Sequence, residues 1–381
     1  MLRPRKGLRK SYVVTSVLMV ALSGLVLKLI QRVPRGEAWE RWPNADKAGY
    51  SASGLDEVLA YTRTLGTTGL MVVSCGKELL QYGDVEARGY LAGGRFAIMA
   101  LAYGAPVADG TVDLGKTLDE LGIDDRPPLL PIEKKATLRD LLTHRSGVYH
   151  ETPWGRNAEG TPARGSVEPG SYFYDHSWGG FAARGIFELL TGRDLLQVIG
   201  EDLAAPLGLQ DFKWWRQPPG HDRSRSEFTA FNLYMSTRDI ARFGQLMLQD
   251  GVWKDRQLVP AEWVDRITTI VTPPDELHPV ELRDNGLGAG YDWWAWYDPD
   301  PDGPYAGAYT YLGAYGQYLS VLPSLHMVVA HQVYAGWYGA PRRSVAWTEY
   351  VGILDRLVAA RRSEVDLTQG VGEPTRCPSD S

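Results

Sequence analysis

Short apolar runs stand at both ends of the globular part of this chain, and that placement constrains the fold more than any other feature. Gly69-Leu70-Met71-Val72-Val73 and Glu78-Leu79-Leu80-Gln81-Tyr82 flank Ser74-Cys75-Gly76-Lys77, which is a β-hairpin pattern. Residues 309–321 and 327–334 read as strands joined at Pro323-Ser324. Between these ends, residues 95–107, 134–143, 178–190, 237–248 and 261–268 carry helical patterns, with apolar residues three and four apart. Residues 344–360 close the pattern as a last helix. Terminal strands around central helices predict an α+β fold whose sheet joins the two ends of the chain. The Gly-, Pro- and charge-rich stretch 151–170 reads as a loop, and loops of that size are surface insertions or functional elements.

Ahead of this domain, Arg3, Arg5, Lys6, Arg9 and Lys10 precede an uncharged apolar run over 11–27, extended past Lys28 by Leu29 and Ile30. About 20 apolar residues span a bilayer, and the basic flank stays in the cytoplasm. The chain therefore divides into a cytoplasmic basic segment at 1–10 and a signal anchor or transmembrane helix at 11–30. A linker at 31–49, a domain at 50–360 and a polar, disordered tail at 361–381 follow. The alternative is a signal peptide cleaved near Ala21-Leu22-Ser23, with secretion of the domain. Either reading exports it, to the periplasm or the exterior.

Up to Arg35 there are eight Lys or Arg and no acids, so the remainder carries 32 basic against 46 acidic residues, a net of −14. That sign excludes nucleic acid as a partner. The membrane, through the N-terminal helix, and an envelope small molecule or protein are the partners to expect. Cys75 and Cys377 leave one disulfide open in an exported chain. No CxxC or Cys/His zinc spacing occurs, so neither metal nor cofactor is expected. The 13 Trp and 20 Tyr suit a packed core, or alternatively a cleft wall.

Four phrases then occur in order. They are Val107-Ala108-Asp109-Gly110-Thr111-Val112-Asp113-Leu114, Thr137-Leu138-Arg139-Asp140-Leu141-Leu142-Thr143-His144-Arg145-Ser146-Gly147, Leu203-Ala204-Ala205-Pro206-Leu207-Gly208-Leu209-Gln210-Asp211-Phe212, and Ser236-Thr237-Arg238-Asp239-Ile240-Ala241-Arg242-Phe243-Gly244. Together they resemble the β-lactamase-related serine hydrolase family, which includes class C β-lactamases, penicillin-binding proteins and esterases. The resemblance implies a β-lactamase/transpeptidase-like fold, an antiparallel sheet flanked by helices, with an all-helical region beside it.

The family's chemistry uses an S-x-x-K motif at a helix start, where the Lys accepts the Ser proton and the hydroxyl attacks a carbonyl. At the matching positions stand Gly93 and Phe96. Glycine has no atom to attack with, and a phenyl ring takes no proton. The Y-x-N positions fall on Asp175 and Ser177, with Tyr174 one place early. The K-T-G positions fall on Tyr311, Leu312 and Gly313, keeping only the glycine. A literal S-x-x-K, Ser74 to Lys77, lies in the expected hairpin turn and lacks the helix the motif needs.

The first reading is therefore an exported domain without acyl-serine catalysis, binding a ligand in a cleft lined by Phe96, Tyr149, Tyr174, Trp178 and Tyr311 above Gly93 and Gly94. The second is a weak or repurposed ester or amide hydrolase using Tyr174, Asp175, His176 or a metal, with His144, His150 and Glu151 as further acid/base or ligand candidates.

Overall fold

Every residue of the strand Gly69–Ser74 is buried, so both faces of the sheet it belongs to are covered. The computed structural model describes residues 36–152, 157, 159–218, 220, 225–334, 341, 343–362 and 377. Its sheet is antiparallel and seven-stranded: β1 (Gly69–Ser74), β2 (Lys77–Gly83), β7 (Leu287–Ala289), β8 (Trp294–Trp296), β9 (Tyr309–Gly313), β10 (Gln317–Leu322) and β11 (Met327–Gln332), in the order β2-β1-β11-β10-β9-β8-β7. Two short pairs lie apart from it, β3 (Arg88–Tyr90) with β4 (Tyr234–Ser236) and β5 (Val252–Trp253) with β6 (Arg256–Gln257). The N- and C-terminal strands meet as β1 against β11, with Val72 opposite Val329.

The helices are α1 (Ala52–Thr64), α2 (Gly94–Ala102), α3 (Gly104–Ala108), α4 (Leu138–Leu142), α5 (Ser177–Thr191), α6 (Leu195–Val198), α7 (Ala205–Leu207), α8 (Thr237–Leu248), α9 (Ala261–Thr268) and α10 (Trp347–Ala360). The two-residue period of the strands divides the core between the sheet's faces. Leu70, Val72, Met327 and Val329 pack with Leu55 and Val58 of α1 and with Tyr350, Ile353 and Leu357 of α10. Met71, Val73, Val328 and Ala330 join Ile240, Phe243 and Met247 of α8, together with the whole apolar length of α2. Buried from end to end, α2 is the central helix of the domain.

Three elements differ from the sequence reading. The helix expected over 95–107 is interrupted at Tyr103, because Pro106 has no N–H to continue the ladder and is tolerated only in the first turn of a new helix, α3. The helix expected over 134–143 is a 3₁₀ turn, Glu133–Lys135, followed by α4. Thr137 forms a capping box with Asp140 and so starts a helix where periodicity alone would run through. The strand expected over 309–321 is two, β9 and β10, reversing at Tyr315 and Gly316, where φ is 72° and 105°.

Residues 36–49, expected as linker, pack on the domain instead. Trp42 N donates to Glu78 O, Trp39 Nε1 donates to Arg238 O, and Ala48 is 3% exposed. Apolar side chains among the linker's charges find the edge of β2 and bury there. The tail's first residue, Arg361, pairs with Tyr50. The expected membrane helix at 11–30 lies outside the described residues, and no described helix is long and apolar enough to cross a membrane. Cys75 and Cys377 form a disulfide across 302 residues, tying the β1–β2 turn to the chain's end. Disulfides persist in oxidising compartments, so the bond points to an extracytoplasmic domain.

The four sequence phrases are joints of this scaffold. Asp239, buried at the start of α8, accepts the backbone N–H groups of Gln210, Asp211 and Phe212 at 2.7, 2.9 and 2.8 Å. Arg238 beside it clamps Asp211 through Nε and Nη2 at 2.7 and 2.8 Å. Two phrases far apart in sequence are thereby one hydrogen-bonded corner. Leaving buried N–H groups unpaired costs about 1–3 kcal/mol each. Asp239→Ala is therefore expected to destabilise the domain by roughly 3 kcal/mol or more in urea unfolding, and Asp239→Asn by less, because the amide oxygen keeps part of the set.

Candidate active site

The chain leaves β3 at Tyr90 and turns through Ala92, whose φ of 48° is left-handed, into α2. Gly93 is the helix N-cap residue and lies against β9. A Cβ there would sit 2.8 Å from Leu312 O, with Gly313 Cα and Leu312 C next nearest. Real Cβ atoms do not approach backbone oxygen so closely, so the strand occupies the space a side chain would need. One residue on, a Cβ at Gly94 would lie 2.6 Å from the ring of Tyr311. Tyr311 is fully buried over this glycine, and its hydroxyl has no partner among the described residues. Burial pushes that phenol well above its ordinary pKa.

Phe96 points away from this contact into an aromatic cluster. Its ring centroid is 5.5 Å from that of Phe181 and 5.7 Å from that of Phe231. Its ring also packs on Gly180 of α5, where a Cβ would collide with it. Arg95, between Gly94 and Phe96, is 4% exposed, with its guanidinium carbon 4.3 Å from the Phe96 ring centroid.

Gly313, the glycine at the K-T-G positions, is pressed against the chain itself. A Cβ there would be 2.5 Å from Leu91 O and 2.8 Å from Gln317 Cβ. The expected cleft wall is likewise mostly interior. Phe96, Tyr149, Trp178 and Tyr311 are 5%, 3%, 0% and 0% exposed. The indole of Trp178 turns to a buried carboxylate, donating to Asp125 Oδ2 at 2.6 Å. Ser226 Oγ and Glu227 N also donate to Asp125, at 2.7 and 2.6 Å. His150 stands at the same hub, Nδ1 lying 3.5 Å from Asp125, with its two ring nitrogens facing Glu151 O and Pro127 O.

Tyr149, Tyr174 and His176 form a second group. Tyr149 meets Tyr174 edge-on at 5.6 Å between centroids and His176 at 6.0 Å. His176 caps α5, which begins at Ser177. Its Nε2 pairs with Asn157 Oδ1 at 3.0 Å, while Nδ1 has no partner among the described residues. Burial lowers its pKa to about 4 against the pull of Asp175, so this imidazole is neutral. Tyr149 Oη is also unpartnered, and burial holds that phenol above its ordinary range. Tyr174 Oη lies 3.3 Å from Thr161 Oγ1.

His144 lies between two carboxylates. Nε2 is 2.8 Å from Asp292 Oδ1, and Nδ1 is 3.5 Å from Asp175 Oδ1, an ion-pair contact without hydrogen-bond geometry. Burial alone would lower its pKa, but Asp292 and then Asp175 outweigh it and hold the imidazole at about 9. Asp175, half exposed, thus faces a charged His144. Among the described residues no group of three or more His, Cys, Asp or Glu could hold a metal ion. Ser74 ends β1 and Lys77 begins β2, paired across the hairpin, with Lys77 Nζ 2.9 Å from Glu40 and Ser74 Oγ 3.3 Å from the Tyr50 hydroxyl.

Asp125, Asp292 and Arg95 escaped the sequence reading. The signal for Arg95 was present, as a lone cation in an otherwise apolar helix. The two aspartates carry no local pattern.

Residues 97–348 match the family described as Beta-lactamase. An uncharacterized protein of Alkalihalophilus pseudofirmus is 25% identical over an alignment of 240 residues that covers 55% of this chain and 63% of that protein, so the match spans less than two thirds of the relative. Among solved structures, a Bacillus anthracis protein provisionally named a 6-aminohexanoate-dimer hydrolase superposes with a TM-score of 0.64. It is 16% identical, and the match covers 89% of this chain and 91% of that one. A penicillin-binding protein homologue from Caulobacter crescentus gives 0.59 at 15% identity, covering 81% and 97%. At such identities the likeness establishes the fold alone.

The pKa of His144 sets a pH dependence. A histidine whose folded pKa of about 9 exceeds its ordinary 6.5 contributes stability that is full below pH 6.5 and lost as pH rises through 9. Unfolding free energy is expected to fall across that window by up to about 3 kcal/mol. His144→Gln is expected to flatten the profile and to be less stable than the parent at pH 6.

Proposed function

The chain belongs to the beta-lactamase family, and on that premise we propose that it is an exported, membrane-tethered pseudoenzyme that binds an envelope ligand or protein without acyl-serine chemistry. The observation that carries this reading is the contact at Gly93. In the family's mechanism a serine at this position attacks a carbonyl and a lysine one helical turn on takes its proton. Here the first position is a glycine pressed against Leu312 O, and the second is Phe96, packed among Phe181 and Phe231. Arg95 is no substitute base, because a guanidinium stays protonated. Asp175 and Ser177, at the places of the phenol and the amide, do not reconstitute them.

Binding falls to the largely buried aromatic group of Tyr149, Tyr174 and the neutral His176, beside which the Asp175 carboxylate reaches solvent. This is the composition of a ligand site. The disulfide agrees with export. Residues 11–30 supply the tether, and a signal peptide cleaved near Ala21-Leu22-Ser23 is the competing arrangement. A hydrolase rebuilt on Tyr174, Asp175 and His176, or on a metal, is the second reading.

The full chain, purified in detergent, is expected to leave nitrocefin and short acyl esters unhydrolysed and to resist a fluorophosphonate serine probe. Labelled serine would refute the pseudoenzyme reading, and chelator-sensitive turnover would support a metal. Gly93→Ser with Phe96→Lys is expected to remain inactive and to lose about 2–4 kcal/mol of stability, from overpacking at Leu312 and a lysine among phenyl rings.

A further inference from the structure

The guanidinium of Arg95 is buried, and among the described residues it has no counter-ion within ion-pair distance. Nη1 donates to Tyr90 Oη at 2.7 Å and to Ala92 O at 2.6 Å. Nε is buried and unpartnered, and no bond from Nη2 adds to these. Around the carbon stand the rings of Phe96, Phe181, Tyr90 and Phe231, at 4.3, 5.3, 5.6 and 5.8 Å. These faces attract the cation but offer no compensating charge. The carboxylate whose field reaches it, Asp292, is bonded to His144 instead. Taking a cation out of water costs several kcal/mol unless it is paired, and burial accordingly lowers the pKa of Arg95.

The edge formed by Nε and Nη2 carries no hydrogen bond among the described residues, and it is the geometry that pairs with a carboxylate through two parallel hydrogen bonds. Tyr90, to which Nη1 donates, is only partly buried and links the cation to the surface. Arg95 is also the second residue of a nine-residue helix, so the positive end of α2 adds to the same field.

We propose that Arg95, with the Tyr90 hydroxyl beside it, is the anchor for a carboxylate group on the ligand of this domain. The cation has moved one residue from the place of the family's lysine and serves recognition in place of proton transfer. This assignment rests on the ligand-binding reading above and gives that reading a chemical class.

The test is thermal unfolding of the full chain in detergent, followed by tryptophan fluorescence, with 100 mM acetate or inorganic phosphate against chloride at equal ionic strength. Acetate is expected to raise the midpoint by about 3–5 °C over chloride, as a ligand well above its Kd does. Arg95→Met is expected to abolish the rise while melting no lower than the parent in chloride, since it removes an uncompensated buried charge. Should that variant fail to fold, Arg95→Lys, which keeps a cation but loses the fork, is expected to lose most of the rise. No acetate effect, or an equal effect in either folded variant, would overturn the proposal. A larger shift with phosphate would overturn the choice of carboxylate. Serine labelling by the fluorophosphonate would sink the pseudoenzyme reading and leave the acetate result unchanged, so the two fail separately.

Discussion

The contact between the N-terminus of α2 and β9 organises this molecule. α2 is buried along its whole length, so its position sets where the sheet, α5 and the chain before β4 can pack. Where α2 meets the strand, two consecutive glycines remove both Cβ atoms, and the vacated space is taken by Leu312 O and the ring of Tyr311. A nucleophile in that place would require both elements to part. Helix and strand are thus held together at this point by a close backbone approach.

Three basic groups stand near this contact. Phe96 is an aromatic core residue, and the cation beside it belongs to Arg95, enclosed by rings and with no counter-ion among the described residues. The other strong charge, on His144, is neutralised by Asp292 and Asp175. His176, lacking so close a carboxylate bond, is neutral. Three basic side chains in neighbouring segments therefore have three different states, each decided by which carboxylates stand within reach.

The scaffold gives residues of three sequence phrases a structural task. Asp239 satisfies three backbone donors of a distant turn, and Asp140 closes a capping box with Thr137. These residues stabilise corners, and their loss would leave buried amides unpaired whether or not the domain catalyses anything.

Much of the architecture was legible in the chain alone. Period-two and three-four patterns located the hairpin, α8 and α9, and the ordered phrases named the fold, because both signals are local and repeat along the sequence. Local pattern failed where a single residue overrides periodicity, at Thr137, Pro106 and the Tyr315-Gly316 turn. It failed again for the expected cleft wall, since an aromatic residue reads alike whether it lines a cavity or fills a core. Only tertiary structure decided that Tyr311 and Trp178 are interior, that residues 36–49 lie on the domain, and that Cys75 reaches Cys377. It alone paired His144 with Asp292 and left Arg95 without an acid, because a charge's partner is set by which distant segments the fold brings within a few ångströms.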